Sequence, residues 1–148
     1  MRALFFLMLF MLISGTAYAR IHQIDMEALA KIESSNNPKA CSYKGCKYGR
    51  GLYQISEIAL AHYNQDNRPE VTTAQLLDSG TNRMVADWYL DYLWKWCAKR
   101  PECETREDVL IAWNWGMGNL LRWKWGDRPD GLPKETKDFI KRYKRLSR

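Results

Sequence analysis

The sequence lacks several features that would place it in a familiar class. It contains only two histidines, His22 and His62, and no Cys-x-x-Cys spacing, which argues against a metal site of the zinc type. Its longest apolar run is roughly a dozen residues, whereas a membrane-spanning helix needs about 20. The absence of internal repeats and low-complexity tracts excludes a solenoid and argues against a disordered chain. We also find no nucleic-acid-binding motif.

The apolar run lies at the N-terminus, after the positively charged Arg2 and before a stretch of small residues. This layout is typical of a secretory signal peptide, and Ala17-Tyr18-Ala19 fits the small-x-small rule for its cleavage. We therefore predict a signal peptide over residues 1–19 and a mature domain over residues 20–148, in the periplasm or outside the cell. An uncleaved membrane anchor is the alternative.

The predicted mature part is long enough for one domain with one core and too short for a catalytic domain with a separate binding module. Apolar residues recur at helical spacing through most of it, and no strand pair is evident, so we predict an all-α fold. A Gly- and Pro-bearing connection is expected over residues 116–133. Helices are expected at residues 24–33, from about Ser56, and at residues 81–96, 107–115 and 136–143.

All four cysteines, Cys41, Cys46, Cys97 and Cys103, lie in the predicted mature part. An even number of cysteines in a short exported chain is typical of disulfides. The local pairs Cys41–Cys46 and Cys97–Cys103 are the favoured connectivity, and the two other connectivities remain open at this point.

The chain is basic, with a formal net charge of +6 that falls to about +5 when Arg2 leaves with the leader. Such an excess suggests an acidic partner, and export favours the cell wall, whose peptide stems carry free carboxylates. A solvated helical face is the simpler explanation for the basic residues that crowd the C-terminus, namely Lys134, Lys137, Lys141, Arg142, Lys144, Arg145 and Arg148.

Glu33 lies near the end of the first predicted helix, just before the helix-breaking residues 34–38. The C-terminal end of a helix carries partial negative charge, and burial beside Ile32 would act in the same direction, so the pKa of this carboxyl group is expected to be raised. A carboxyl group that stays protonated near neutral pH can serve as a general acid for cleaving a glycosidic bond. An ordinary surface glutamate at a helix end is the alternative.

Several segments resemble those of the soluble lytic transglycosylase family. Ile32-Glu33-Ser34-Ser35-Asn36-Asn37-Pro38 resembles its Glu-Ser segment, and Gly51-Leu52-Tyr53-Gln54-Ile55 resembles its Gly-Leu-Met-Gln-Ile segment. Ala112-Trp113-Asn114-Trp115-Gly116-Met117-Gly118 is similar to Ala-Tyr-Asn-Ala-Gly-x-Gly, and Leu132-Pro133-Lys134-Glu135-Thr136 matches Leu-Pro-x-Glu-Thr. Residues 77–90 are similar to a further helix of that family.

The resemblance implies a lysozyme-like, mainly helical fold with a sugar-binding cleft. It implies that Glu33 cleaves the bond between N-acetylmuramic acid and N-acetylglucosamine in peptidoglycan. The same carboxyl group would first act as an acid and then, as a base, deprotonate the 6-hydroxyl of the muramic acid, which leaves a 1,6-anhydro product. This chemistry needs neither a cofactor nor a metal.

Gln54 and Asn114 offer donors and acceptors that suit the N-acetyl and hydroxyl groups of a sugar. We expect them to bind the substrate, together with Ser42, Trp113 and Tyr53. The resembled family has Tyr at the position of Trp113 and Met at that of Tyr53. An indole can only donate a hydrogen bond, so Trp113 cannot accept one as a tyrosine hydroxyl would.

Two other functions fit the same residues. A lysozyme-type muramidase would hydrolyse the same bond and would need a second carboxylate, for which the candidates are Glu57, Asp66, Asp78, Asp87 and Asp108. A non-catalytic wall-binding protein would need no carboxylate at all. In each case we expect a monomer that binds glycan strands. Wall turnover, an envelope-spanning secretion or conjugation machine, and phage release are all compatible settings.

Overall fold

The structure, a computed structural model, describes residues 23–42, 46 and 48–147, so the predicted signal peptide lies outside the described residues. Within these ranges the only β pairing consists of isolated bridges that join Arg50 to Cys41 and to Ile55. The described helices are α1 (Met26–Ser34), α2 (Glu57–Asp66), a 3-10 helix (Gln75–Leu77), α3 (Ser79–Cys97), α4 (Arg106–Trp115), α5 (Met117–Lys124) and α6 (Lys134–Leu146). The prediction of an all-α fold is confirmed.

The longest helix, α3, passes through the centre of the domain. It contacts α2, the 3-10 helix and α4, while α6 packs across α1 and α4. Val85, Ala86 and Leu93 of α3 are completely buried, as is Val109 of α4. The dense apolar and aromatic pattern of α3 is what a helix surrounded by others requires.

The start of α1 is fixed both locally and by a distant helix. The carboxylate of Asp25 caps the helix by accepting hydrogen bonds from the backbone N–H groups of Glu27 and Ala28, each at 3.0 Å. The backbone N–H of Asp25 donates to the hydroxyl of Tyr143, 2.6 Å away on α6. Asp25 therefore caps α1 and also holds it against α6.

One segment departs from the sequence-based prediction. Residues 116–133 were expected to form an irregular connection, yet they contain α5. The helix starts directly after Gly116, which has a φ of 94°, and no side chain caps it. Its tertiary anchor is Leu120, which is completely buried. Packing of this face thus outweighs the weak local helix signal of a stretch that contains Gly118.

Buried Asn82 on α3 binds three backbone groups, two in the loop that precedes α2 and one in the 3-10 helix. Its Oδ1 accepts from the backbone N–H of Tyr53 at 2.8 Å, and its Nδ2 donates to the carbonyls of Arg50 and Leu76, also at 2.8 Å. Gly51 has a φ of 73°, and a Cβ there would lie 2.4 Å from that Nδ2. This close approach explains the glycine, and it fixes the loop against α3.

The structure contains the two local disulfides, Cys41–Cys46 and Cys97–Cys103. The first closes the segment that leads to the Asn82-bound loop. The second joins the last residue of α3 to the segment before α4. In the part of the chain that the structure describes, no helix combines the length and the apolar character needed to cross a bilayer.

Candidate active site

Glu33 is held at the C-terminal end of α1 by the residues that follow it. Ser35 adopts the left-handed conformation, with a φ of 57°, and ends the helix. The hydroxyl of Ser34 donates to the carbonyl of Leu52 at 2.7 Å. Because Leu52 belongs to the loop that also carries Gln54, this bond fixes the end of α1 beside that loop. The Glu-Ser pair therefore places the carboxyl group and anchors its helix.

A cleft of about 730 Å³ opens between the end of α1, the loop before α2, and helices α3, α4 and α6. Five of the six predicted catalytic or substrate-binding residues line it, namely Glu33, Ser42, Gln54, Trp113 and Asn114. These residues come from four separate parts of the sequence, so only the fold brings them together.

Tyr53 is the exception, and the expectation that it contacts substrate is contradicted by its position. Its side chain is only 1% exposed and belongs to the hydrophobic core. Its backbone N–H is bound to Asn82, and the next residue, Gln54, has a φ of 50°. This turn directs Tyr53 inwards and leaves Gln54 as the neighbour that reaches the cleft.

Trp113 contacts the carboxyl group of Glu33 directly. Its indole Nε1 donates a hydrogen bond to Glu33 Oε1, with a distance of 2.7 Å. The ring of Trp113 also lies against that of Tyr89, with 5.7 Å between the ring centres. Trp113 thus contacts the carboxyl group despite the absence of a hydroxyl, and it does so as a donor, as its chemistry requires.

Burial raises the pKa of the Glu33 carboxyl group from an ordinary 4.5 to about 7. The hydrogen bond from Trp113 and the positive charge of Arg142 act in the opposite direction and offset part of this rise. The sequence predicted a raised pKa from the helix end and from burial. Burial is the largest cause in the structure, and the group remains partly accessible from the cleft.

Glu33 is the only carboxylate among the described residues that line the cleft. Asp108 is buried in an ion pair with a lysine of α5 at 2.7 Å, Asp78 caps α3, and Asp87 pairs with an arginine of its own helix. Glu57 and Asp66 lie at the two ends of α2. Across the described ranges, no cluster of three or more His, Cys, Asp or Glu side chains could hold a metal ion.

The polar groups of Gln54 and Ser42 differ in what they leave for a ligand. Gln54 Nε2 donates to the carbonyls of Ala40 and Gly51, at 3.2 and 2.8 Å, so the side-chain oxygen is what remains to accept. A Cβ at Gly49 would lie 2.9 Å from that oxygen, so glycine provides its space. The Ser42 hydroxyl is buried and has no partner within the described residues.

Sequence reasoning missed other residues of the cleft wall, above all Tyr89 and Arg142. Tyr89 lies in the helix predicted at residues 81–96 and is largely buried. Arg142 was counted in a basic cluster and interpreted as part of a solvated face. The sequence contains one indication of this position. Arg142 lies three residues after Phe139, residues three apart on a helix are neighbours, and Phe139 also lines the cleft.

The missed helix α5 supports one wall of the cleft from behind. Asn119 of this helix donates from Nδ2 to the carbonyl of Trp115 at 2.7 Å, and its Oδ1 accepts from Arg128 at 2.9 Å. The guanidinium of Arg128 in turn lies 5.3 Å from the ring centre of Trp115. Trp115, which lines the cleft, is therefore held from two sides.

The family model described as the transglycosylase SLT domain matches residues 14–131. This range includes Glu33, Gln54 and Asn114 and ends just before the Leu-Pro-x-Glu-Thr segment. No curated protein and no solved structure matches the chain. The helical architecture agrees with the lysozyme-like fold of that family, whose members cleave the glycan strands of peptidoglycan. The chain therefore belongs to the transglycosylase SLT domain family.

Proposed function

We propose that this protein is a lytic transglycosylase that cleaves the bond between N-acetylmuramic acid and N-acetylglucosamine in peptidoglycan and leaves a 1,6-anhydro ring. Glu33 is the catalytic residue and acts first as acid and then as base. The observation that carries the proposal is that Glu33, with a pKa of about 7, is the only carboxylate among the described residues of the cleft.

In the first step Glu33 donates its proton to the glycosidic oxygen while the bond from that oxygen to C1 of the muramic acid breaks. A pKa of about 7 keeps roughly half of the carboxyl groups protonated at neutral pH, which is near the optimum for a general acid. Oε1 accepts the hydrogen bond from Trp113, so the transferable proton resides on Oε2.

In the second step the carboxylate takes the proton of the 6-hydroxyl as that oxygen bonds to C1. The indole N–H of Trp113 and the positive charge of Arg142 stabilise the carboxylate between the two steps. One bond to C1 is broken and another is formed within the same sugar, no water is consumed, and Glu33 regains its proton. The residue is then ready for another cycle.

The carboxylate arrangement favours this route over hydrolysis. A retaining or inverting glycosidase uses a second carboxylate, as a nucleophile or to activate water. The candidates for that role lie outside the cleft. A hydroxyl group on the same sugar needs no such partner, because attachment supplies a high effective concentration. The muramidase alternative is therefore the less supported of the two.

Four further residues of the cleft are proposed to bind the sugar. Gln54 offers its side-chain oxygen, and Asn114 offers an exposed amide with both donors and acceptors. Ser42 contributes a hydroxyl that is buried in the cleft wall and has no partner among the described residues. Trp113 presents an aromatic ring that also holds the catalytic carboxyl group. Together these groups suit the alternating N-acetyl, hydroxyl and apolar faces of a glycan strand.

The site of action is proposed to be outside the cytoplasm. Residues 1–19 would act as a leader and residues 20–148 as the mature enzyme, in the periplasm or secreted. Two disulfides are compatible with export, because such bonds persist in oxidising compartments. Peptidoglycan is accessible in that location.

The test is digestion of purified peptidoglycan by the mature wild type and by Glu33→Gln, with mass spectrometry of the products. Glu27→Gln is the matched control, because it makes the same change in the exposed first turn of the same helix. We expect anhydro products from the wild type and from Glu27→Gln, and a loss of at least about 1000-fold in rate for Glu33→Gln, as for removal of an essential acid–base group.

Each alternative gives a different result. Products heavier by one water molecule from the wild type would identify a muramidase. Wall binding without cleavage by the wild type, unchanged in Glu33→Gln, would identify a binding protein. Cleavage by Glu33→Gln at the wild-type rate would show that Glu33 is not the catalytic residue.

A further inference from the structure

Trp115 departs in size from the residue that the family has at its position. The Ala-Tyr-Asn-Ala-Gly-x-Gly segment has its second alanine there, so an indole replaces a single methyl group in this chain. The indole lines the cleft. It packs against the edge of the hydrophobic core but stays partly exposed. The added ring therefore changes the surface that the cleft presents to a ligand.

Trp113 and Trp115 leave α4 in nearly opposite directions. An α-helix turns by about 100° for each residue, so positions two apart differ by about 200°. Trp113 reaches Glu33, and Trp115 nonetheless lines the same cleft. The cleft therefore passes around the end of α4, where the exposed Asn114 lies between the two indoles. Trp115 borders a part of the cleft that is separate from the catalytic carboxyl group.

The indole of Trp115 is held in place by residues that follow it. The guanidinium of Arg128 lies 5.3 Å from the ring centre and covers one face of the ring. Asn119 fixes both partners, because its Oδ1 accepts from Arg128 at 2.9 Å and its Nδ2 donates to the Trp115 carbonyl at 2.7 Å. The other ring face is the one available to a ligand. A side chain that is already fixed loses little conformational freedom on binding.

The chemistry of this part of the cleft suits a sugar ring. A pyranose has C–H groups on its two faces and polar substituents around its edge. An aromatic ring beside a polar group complements such a mixed surface. Trp115 supplies the ring, and the neighbouring Asn114 supplies an exposed amide with donors and an acceptor.

We propose that Trp115 forms a stacking subsite that binds a saccharide unit of the glycan strand beyond the two units joined by the scissile bond. This inference rests on the proposed cleavage of peptidoglycan at Glu33 and adds a specificity-determining residue to it. Strands long enough to reach Trp115 bind more tightly than shorter ones. Asn119 and Arg128 are positioning residues that hold the indole.

The subsite acts on binding and leaves the chemical step unchanged. A contact with a sugar that does not react is the same in the bound substrate and in the transition state, so its removal raises KM and leaves kcat as it was. A residue that only shapes the catalytic centre has a different effect, because its removal lowers kcat. The division between KM and kcat therefore distinguishes the two roles of Trp115.

The test measures kcat and KM of the mature protein on soluble glycan strands prepared from peptidoglycan and sorted by length. It compares long strands with the shortest strands that the wild type cleaves. The Kd for long strands is measured in parallel on proteins that also carry Glu33→Gln, so that the strands stay intact. Thermal unfolding shows that each variant is folded.

Trp115→Ala removes the indole, and Trp115→Phe keeps an aromatic ring. Arg128→Gln keeps the indole but removes the guanidinium that holds it. Trp125→Ala is the matched control, because it makes the same change at a tryptophan that is 58% exposed and lies outside the described lining of the cleft.

We expect Trp115→Ala to raise KM and Kd for long strands about tenfold and to change kcat by less than about twofold. Its kcat/KM on the shortest strands should equal that of the wild type. Trp115→Phe and Arg128→Gln should raise KM for long strands by about threefold or less. Trp125→Ala should behave as the wild type. If Trp115→Ala does not fold, Arg128→Gln decides in its place, and an unchanged KM would then count against the subsite.

Several results would overturn the inference. An unchanged KM and Kd in folded Trp115→Ala would exclude the contact, and a loss in kcat alone would assign Trp115 to the catalytic centre. An equal rise in KM for long and short strands would place the contact at the reacting sugars. A gain in kcat/KM would show that the indole narrows the cleft. In all of these cases the wild type still forms anhydro products, so the proposed function would stand. A wild type that cleaves no strand would refute both.

Discussion

The indole nitrogen of Trp113 lies 2.7 Å from Oε1 of Glu33 and donates a hydrogen bond to it. This contact joins α4 to the end of α1 and opposes the main influence on the carboxyl group, which is burial. A donor stabilises the carboxylate, whereas burial stabilises the neutral acid. The pKa of about 7 is the result of this opposition, and it allows one group to give up a proton and take one back.

Replacing Trp113 with Phe should raise the pKa of Glu33 further, because the indole donor is lost while burial remains. In the proposed mechanism Glu33 acts first as the protonated acid, so activity should fall as pH rises through that pKa. We therefore expect the alkaline limb of kcat/KM, near pH 7 in the wild type, to move upwards by about one pH unit. The rate near neutral pH should fall about tenfold, because the carboxylate that forms during the reaction is less stable.

The pH profiles of the wild type and Trp113→Phe provide the measurement. Trp115→Phe is the matched control, because Trp115 also lines the cleft but has no hydrogen bond to Glu33. Its alkaline limb should stay at the wild-type pH. An unmoved limb in Trp113→Phe would contradict a role for the indole donor.

Glu33→Gln should stabilise the folded protein at alkaline pH. The pKa of Glu33 is about 7 in the folded state and near 4.5 when unfolded, so the unfolded state loses the proton first as pH rises. The wild type therefore loses stability between about pH 4.5 and 7, by roughly 3 kcal/mol in all. Glutamine stays neutral and can still accept the Trp113 hydrogen bond.

Denaturant unfolding at pH 5 and pH 9 would measure this effect. We expect the unfolding free energy of Glu33→Gln to exceed that of the wild type by about 2 to 3 kcal/mol at pH 9 and by much less at pH 5. Glu27→Gln, on the exposed turn of the same helix, should show no such gain. Equal free energies for wild type and Glu33→Gln at pH 9 would argue that the carboxyl group is not destabilised by burial.

Asn114→Ala should separate substrate binding from stability. The side chain is exposed and makes no hydrogen bond to the described residues, so the unfolding free energy should change by less than about 0.5 kcal/mol. If the amide binds the sugar by one or two hydrogen bonds, kcat/KM should fall about 10-fold to 100-fold. Parallel thermal unfolding and kinetics would check this, and an unchanged kcat/KM would remove Asn114 from the site.

Much of the fold could be predicted from local signals. Asp25 as a cap, the dense apolar pattern of α3 and the breaker residues after Glu33 are each properties of a short stretch of sequence. The helix α5 was missed because it depends on packing against other elements and not on a pattern in its own sequence. A short helix that starts after glycine without a side-chain cap depends on Leu120 being buried by other elements.

The site shows the same division between local and tertiary information. Glu33, Gln54 and Asn114 were predicted as site residues because each lies in a segment whose residues resemble a known pattern, and all three line the cleft. Tyr53 lies in such a segment too, but a pattern does not reveal which of two neighbours faces the core. That orientation is set by the backbone hydrogen bond to Asn82, a residue 29 positions away. Arg142 was overlooked because its importance arises only when α6 packs beside α1.

Asn82 should therefore be a position where a minimal change is costly. Asn82→Asp preserves the shape and the acceptor for the Tyr53 N–H, but it removes the donor that serves the carbonyls of Arg50 and Leu76. The Leu76 carbonyl is then left unpaired beside a buried carboxyl group, whereas the Arg50 carbonyl still accepts from the backbone N–H of Ile55 at 3.0 Å. An unpaired carbonyl costs about 1 to 3 kcal/mol and the buried charge adds to this cost, so we expect a loss of about 2 to 5 kcal/mol in unfolding free energy.

Chemical denaturation of Asn82→Asp at pH 7 would measure that loss, with Asn114→Asp as an exposed control that should change the unfolding free energy by less than about 0.5 kcal/mol. The loss should be greater at pH 7 than at pH 4, because protonation makes the buried acid neutral and supplies one donor.

The same loop carries Gln54 and, through Leu52, anchors the helix of Glu33. Activity at a temperature where Asn82→Asp remains folded should thus fall as well. A variant of wild-type stability would show that this loop is held by other contacts.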